Sequence, residues 1–170
     1  RNQNRASRPF TCRYPQAPQA MRIGASLIFL ALLVASCSPK ASSGENSLAQ
    51  ISDAKVMQFA IPGKELYENY CANCHQKDGS GLGKLIPPLR DADYFKADIH
   101  RTVWIMKHGK AGEILVNGQV YNQAMPANPN LSPLELAQIA TYLYNSWGMN
   151  EGVIDAPRVE KYLRNPPAEN

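Results

Sequence analysis

The hydrophobic and polar positions fall into blocks of different rhythm. Residues 1–20 show no apolar period. From Ile23 to Ala35 every residue is uncharged and most are apolar, after a basic start at Met21-Arg22 and before the small residues Ala35 and Ser36. A basic start, a short apolar run and a small-residue end make a secretory signal, too short for a membrane span of about 20 residues. Translation is therefore expected to begin at Met21, with residues 1–20 an upstream extension of the reading frame. Ser38 to Ser47 is small and polar throughout, which predicts a flexible tether over residues 37–54.

Helical rhythm begins downstream. Ile61 to Cys71 reads as a helix with Pro62 at its first position; Leu66, Tyr70 and Cys74, and separately Gly63, Tyr67 and Cys71, recur every four residues. Gln76 to Lys84 is polar and glycine-rich, and its glycines are expected to let the backbone wrap a large planar ligand. No Ser or Thr follows Lys84 and no apolar strand precedes the loop, so it is not a nucleotide site. Asp98 to His108 carries Ile99, Val103 and Met106 and predicts a short buried helix stopped by Gly109. Ile114-Leu115-Val116 and Gln119-Val120-Tyr121 flank Asn117-Gly118, a hairpin signal. Pro126 biases Met125 towards extended backbone. Ser132-Pro133-Leu134-Glu135 is a capping box opening a helix through Leu136, Ile139, Ala140 and Leu143. A short polar tail follows, with a helical turn expected around Arg158 to Leu163. One domain, residues 55–170, is expected.

The chain carries 18 basic and 14 acidic residues. Five of the basic residues (Arg1, Arg5, Arg8, Arg13 and Arg22) and none of the acidic ones precede Cys37, so the part from Cys37 onward carries 13 and 14, a formal charge of −1. No basic field remains to recruit nucleic acid. Of the four cysteines, Cys12 lies in the leader and Cys37 at the end of the signal, leaving Cys71 and Cys74.

Those two cysteines carry the chemistry. Cys71-Ala72-Asn73-Cys74-His75 is a C-x-x-C-H run, the spacing of a c-type haem attachment site. Two thiols one helical turn apart can form thioethers to the haem vinyl groups, and the following histidine becomes the proximal iron ligand. The distal ligand is to be chosen from Met57, Met106, Met125, Met149, His100 and His108. Met125 is the best candidate, since it follows the hairpin in a constrained Met-Pro loop. A thioether ligand suits an electron carrier of moderately high potential. The rival classes are a haem enzyme or gas sensor with an open sixth position, and a haem-free thiol or zinc protein built on Cys71 and Cys74. The last lacks both a βαβ setting and further zinc ligands.

Residues 60–150 resemble a class I bacterial cytochrome c. The likeness rests on Gly63, Tyr67, Cys71, Cys74 and His75, on Pro87 with Leu89, on Tyr121, Met125 and Pro126, and on Tyr142, Trp147 and Gly148. It implies a mostly α fold, four to five helices around one covalently bound haem, with a small β-hairpin before the methionine loop. It also implies that the Pro87 carbonyl takes the proton on the far nitrogen of His75, and that the first and last helices cross near Gly63 and Tyr67. Leu33-Val34-Ala35-Ser36-Cys37 resembles a bacterial lipobox, which implies cleavage before Cys37 and lipidation of its thiol. Together these imply an electron-transfer protein rather than an enzyme. It would be lipid-anchored on the periplasmic side of a membrane, exchanging electrons with respiratory redox proteins and taking no small-molecule substrate. Service as the haem subunit of an oxidoreductase complex is the alternative. Lys77, Lys84, Lys107 and Lys110 are candidates to steer an acidic partner.

Overall fold

The first helix is set by a carboxylate. In the computed structural model, which describes residues 48–168, Asp53 has extended backbone and its side chain accepts from the amides of Lys55 and Val56. That satisfies donors which the first turn of a helix leaves unpaired. The expected signal, Cys37 and the first part of the tether lie outside the described residues.

Helix α1 runs Ala54–Tyr70 and buries Val56, Ala60, Gly63 and Tyr67 along one stripe. It starts well before Ile61, so Pro62 lies inside the helix and not at its first position. The carbonyl deprived of its donor by Pro62 is that of Gln58, an exposed residue where water can replace the missing amide. Packing also begins upstream of Lys55. Ile51 is buried, and Gln50 Oε1 accepts from the Gly148 amide at 3.1 Å.

Helix α5, Pro133–Tyr144, opens with both bonds of the capping box: Glu135 N donates to Ser132 Oγ at 3.3 Å and Ser132 N donates to Glu135 Oε2 at 2.8 Å. Its face of Leu136, Ile139 and Ala140 packs with Ala60 of α1, all four without solvent exposure. The two helices touch closely at Gly63. A Cβ added there would stand 2.0 Å from the Gln138 carbonyl oxygen. Hydrogen alone fits that gap.

Between α1 and α5 lie the short α2 (Ala72–His75), α3 (Asp93–Ala97) and α4 (Ile99–His108), followed by β1 (Ile114–Val116) and β2 (Gln119–Tyr121). The strands pair antiparallel with Ile114 opposite Tyr121, and Asn117 and Gly118 take φ of 50° and 76° in the turn. Helix α3 was not expected from the pattern. Tyr144 ties it to the core, donating to the Phe95 carbonyl at 2.7 Å while its ring stacks on Phe95 at 4.4 Å.

The chain after Trp147 is more than a polar tail. Helix α6 spans Ala156–Arg164, capped by Asp155, with Val159 fully buried. Thr141 fastens the approach to it, donating to the Ile154 carbonyl at 3.1 Å and accepting from the Ile154 amide at 3.0 Å. The described residues thus form six helices and one two-stranded antiparallel sheet.

Replacing Gly63 by alanine is expected to push the two long helices apart and cost about 3 kcal/mol, the upper part of the range for overpacked sites. Urea unfolding of the haem-loaded protein measures this; a midpoint equal to the parent's would contradict so close a crossing.

Candidate functional site

Helix α1 delivers the C-x-x-C-H run directly. Cys71 closes α1, its amide donating to the Tyr67 carbonyl at 2.9 Å, and the single turn of α2 follows. Cys71 is half-buried and Cys74 is exposed. Burial, with Cys74 beside it, pushes the Cys71 thiol up to about 11. His75 is 8% exposed, and its Nδ1 lies 3.1 Å from the Pro87 carbonyl oxygen. A carbonyl oxygen can only accept, so Nδ1 carries the proton and the Nε2 lone pair is left for a metal. Burial lowers the His75 pKa against the opposing pull of the Pro87 carbonyl, which keeps the ring neutral and able to ligate.

The backbone after His75 is held in place by two aromatic residues. Gln76 has a positive φ of 63°, and its carbonyl accepts from the Tyr67 hydroxyl at 2.5 Å. Burial drives the Tyr67 hydroxyl far above its usual range, so it remains a donor. Gly79 takes φ of 72°, and a Cβ there would stand 2.6 Å from the Trp147 ring. Gly79 and Gly81 therefore serve the protein's own packing. Gly79, Gly81 and Gly83 do not line the cavity beside His75, contrary to the expectation that they wrap a ligand. Trp147, Tyr67 and Tyr142 form a mutual cluster with ring centres 5.6–6.2 Å apart.

The cavity is apolar, and Cys71, Cys74, His75, Pro87, Met106 and Met125 all line it. The sequence reading missed Tyr94, Phe95 and Thr102, which also line it. Tyr94 and Phe95 lie on α3, a five-residue helix too short to leave a periodic signal.

Met125 is half-buried and pairs with Lys110 through two backbone bonds of 3.0 and 2.8 Å, the extended geometry that Pro126 favours. The loop behind it is bound to the C-terminal end of α4. Asn128 Nδ2 donates to the Met106 carbonyl at 3.1 Å, and Lys107 Nζ donates to the Pro129 and Leu131 carbonyls, each at 2.7 Å. Lys107 is thus committed to holding the methionine loop. Lys77 sits 3.7 Å from Glu68, and Lys110 Nζ donates to the Ala111 carbonyl at 2.8 Å. Lys84 is exposed and forms no ion pair among the described residues.

Of the remaining distal candidates, Met106 alone borders the cavity. His100 Nε2 contacts the Tyr162 and Asn165 carbonyls at 3.0 and 2.8 Å, and His108 packs on Trp104 with ring centres 4.1 Å apart. Met57 and Met149 pack against the hydrophobic core, and Met106 belongs to it. Met125 stands outside that core and faces the cavity.

A family model described as "Cytochrome C oxidase, cbb3-type, subunit III" matches residues 59–143. The chain belongs to this cytochrome c family. Similar proteins include cytochrome c-552 of Thermus thermophilus, 30% identical over 90 residues covering 51% of this chain and 68% of that protein. The cytochrome c subunit of alcohol dehydrogenase (quinone) from Gluconobacter oxydans is 31% identical over 103 residues, 58% of this chain. The same subunit from Komagataeibacter europaeus is 28% identical over 106 residues, 60% of this chain. The chain spans only 21% and 22% of those two subunits. Membership implies a covalently bound haem c with its iron, and electron transfer as the function. The donor set fits such a group: two thiols, a neutral imidazole with one nitrogen free and a thioether all border one apolar cavity. Among the described residues no group of three or more His, Cys, Asp or Glu side chains is placed to hold a metal ion.

Proposed function

We propose that this cytochrome c domain is a tethered one-electron shuttle whose iron is closed by His75 and Met125, with Cys71 and Cys74 holding the haem. The observation that supports this reading is that all four side chains border one cavity while His75 Nδ1 is occupied by the Pro87 carbonyl. The haem supplies a one-electron couple at its iron; the chain supplies its surroundings. Phe95, Ile105 and Leu143 wall the cavity with apolar surface and exclude water. The Pro87 bond holds the His75 ring in one orientation and raises its basicity. The Lys110 pairing, Asn128 and Lys107 hold Met125 in one place, so the ligand set need not reorganise between oxidation states.

The protein passes electrons between redox partner proteins and does not itself transform a substrate. Exposed Lys84 is the lysine best placed to meet an acidic partner. Cys37 carries a lipid, residues 1–20 are absent from the mature protein, and the head works on the periplasmic side of a membrane. The support for this part is the signal-like run before Cys37 and the small polar segment after it. A second reading, as a haem subunit within a larger oxidoreductase, is favoured by the likeness to the dehydrogenase cytochrome c subunits.

Met125→Ala should open the iron to carbon monoxide in the reduced protein and lower the midpoint potential by on the order of 100 mV, a modest part of the roughly 0.8 V over which axial ligands move haem potentials. Met106→Leu should change neither. The reverse pattern would assign the distal position to Met106. Cys37→Ser should move the protein from washed membranes to the soluble fraction, and retention on the membrane would contradict lipidation at Cys37.

A further inference from the structure

Helix α3 begins without a cap from its own cap residue. Its five residues are too few to persist as an isolated helix, and Ala92, at the cap position, brings no side-chain acceptor to the first amides. Those amides are served from elsewhere. Asp93 N donates to Asn117 Oδ1 at 3.0 Å, and Tyr94 N donates to Asp93 Oδ1 at 2.6 Å. Asn117 lies 24 positions further along, in the turn of the hairpin. The bond is returned from there: Asn117 N donates to Asp93 Oδ1 at 2.8 Å, and Asn117 Nδ2 donates to the Asp91 carbonyl at 3.2 Å. The Asn117 and Tyr94 amides hold the Asp93 carboxyl below its usual range, as donors to a carboxylate do. The turn itself asks only for a positive φ at 117, which glycine would meet equally well. The asparagine side chain is used across the gap.

What the pair joins is the wall of the haem cavity. Tyr94 and Phe95 of α3 border that cavity, and so do Ile114, Val116 and Tyr121 of the hairpin. On its buried side α3 is anchored by Tyr144 at Phe95. On its outer side the three bonds between Asn117 and the Asp91 to Asp93 segment join it to the hairpin. Asp91, Asp93 and Asn117 are all exposed, so water competes for each of these bonds. Strand β2 ends at Tyr121, and Gln123 and Ala124, between it and Met125, border the cavity as well. A hairpin that lifts from α3 therefore draws on the approach to Met125, while Asn128 and Lys107 keep the far side of the loop on α4.

We propose that Asp93 and Asn117 form a clasp that shuts the α3–hairpin wall over the haem, and that its opening sets how easily a small nitrogen-donor ligand displaces Met125. Both are positioning residues. Neither borders the cavity, and each acts through the element it fastens. The inference rests on the reading of Met125 as the distal ligand.

The test titrates the oxidised, haem-loaded protein with imidazole, whose nitrogen bonds the iron as the Met125 sulfur leaves. Hydrogen exchange of the α3 and hairpin amides is measured on the same samples. Asn117→Gly keeps the turn and removes both side-chain bonds of Asn117; Asp93→Ala removes the acceptor of its amide. Each variant should bind imidazole about tenfold tighter and exchange its α3 amides about tenfold faster, the size expected for one or two exposed hydrogen bonds. Asp93→Asn keeps an acceptor oxygen and should stay close to the parent in both readouts. Faster exchange with unchanged imidazole affinity would leave the pair a structural tie and overturn the proposal; unchanged exchange would overturn it too. Carbon monoxide added to the reduced parent separates this proposal from the reading beneath it. Immediate binding would show that Met125 is not on the iron and overturn both, whereas a closed parent with unmoved variants overturns the clasp alone. Should Asp93→Ala fail to take up haem, Asn117→Gly decides by itself.

Discussion

The haem motif is placed by the contact of two helices at a single glycine. Because Gly63 lets α1 come within hydrogen distance of the α5 backbone, the end of α1 is fixed against the core. Cys71, Cys74 and His75 follow that end without an intervening loop. Tyr67, one turn before the motif, belongs both to this crossing and to the site: its ring meets Tyr142, and its hydroxyl holds the carbonyl of Gln76 just after His75. The C-x-x-C-H run is therefore part of the helix packing, and a disturbance at the crossing reaches the backbone beside His75 through Tyr67.

The part of the cavity wall that Met125 supplies is built differently. Met125 is on no regular element; it is held by hydrogen bonds from the end of α4, through Lys110, Asn128 and Lys107. Each such bond contributes only about 1 kcal/mol, or somewhat more where a charge takes part. Their sum can hold a loop that has little apolar surface of its own to bury. A methionine outside the core but fixed in place is free to serve as a ligand, whereas Met106, on α4, belongs to the core as well as bordering the cavity.

The elements most legible in the sequence were those with local causes. The Asn117-Gly118 turn, the Ser132–Glu135 cap and the Asp98 to Gly109 boundaries depend on residues within four positions of one another, and each formed where the pattern placed it. The misreadings had distant causes. Pro62 resembles a helix start, but burial of Val56 and Ala60 against α5 carries α1 straight through it. The loop glycines suggest a ligand, but Gly79 answers to Trp147, far along the chain. Lys107 reads as a charge free to steer a partner because its two carbonyl partners, at Pro129 and Leu131, are more than 20 positions away. In the site, the proximal side could be read from five adjacent residues, whereas the walls supplied by Tyr94, Phe95 and Thr102 are set by tertiary packing and left no periodic trace.

The central claim is a haem closed on both sides by the chain's own ligands. The visible spectrum of the purified, dithionite-reduced protein, recorded with and without carbon monoxide, tests it most directly. The account predicts the sharp bands of a six-coordinate c-type haem, unchanged when carbon monoxide is added. A spectrum that carbon monoxide shifts at once, or one without haem bands, would contradict it.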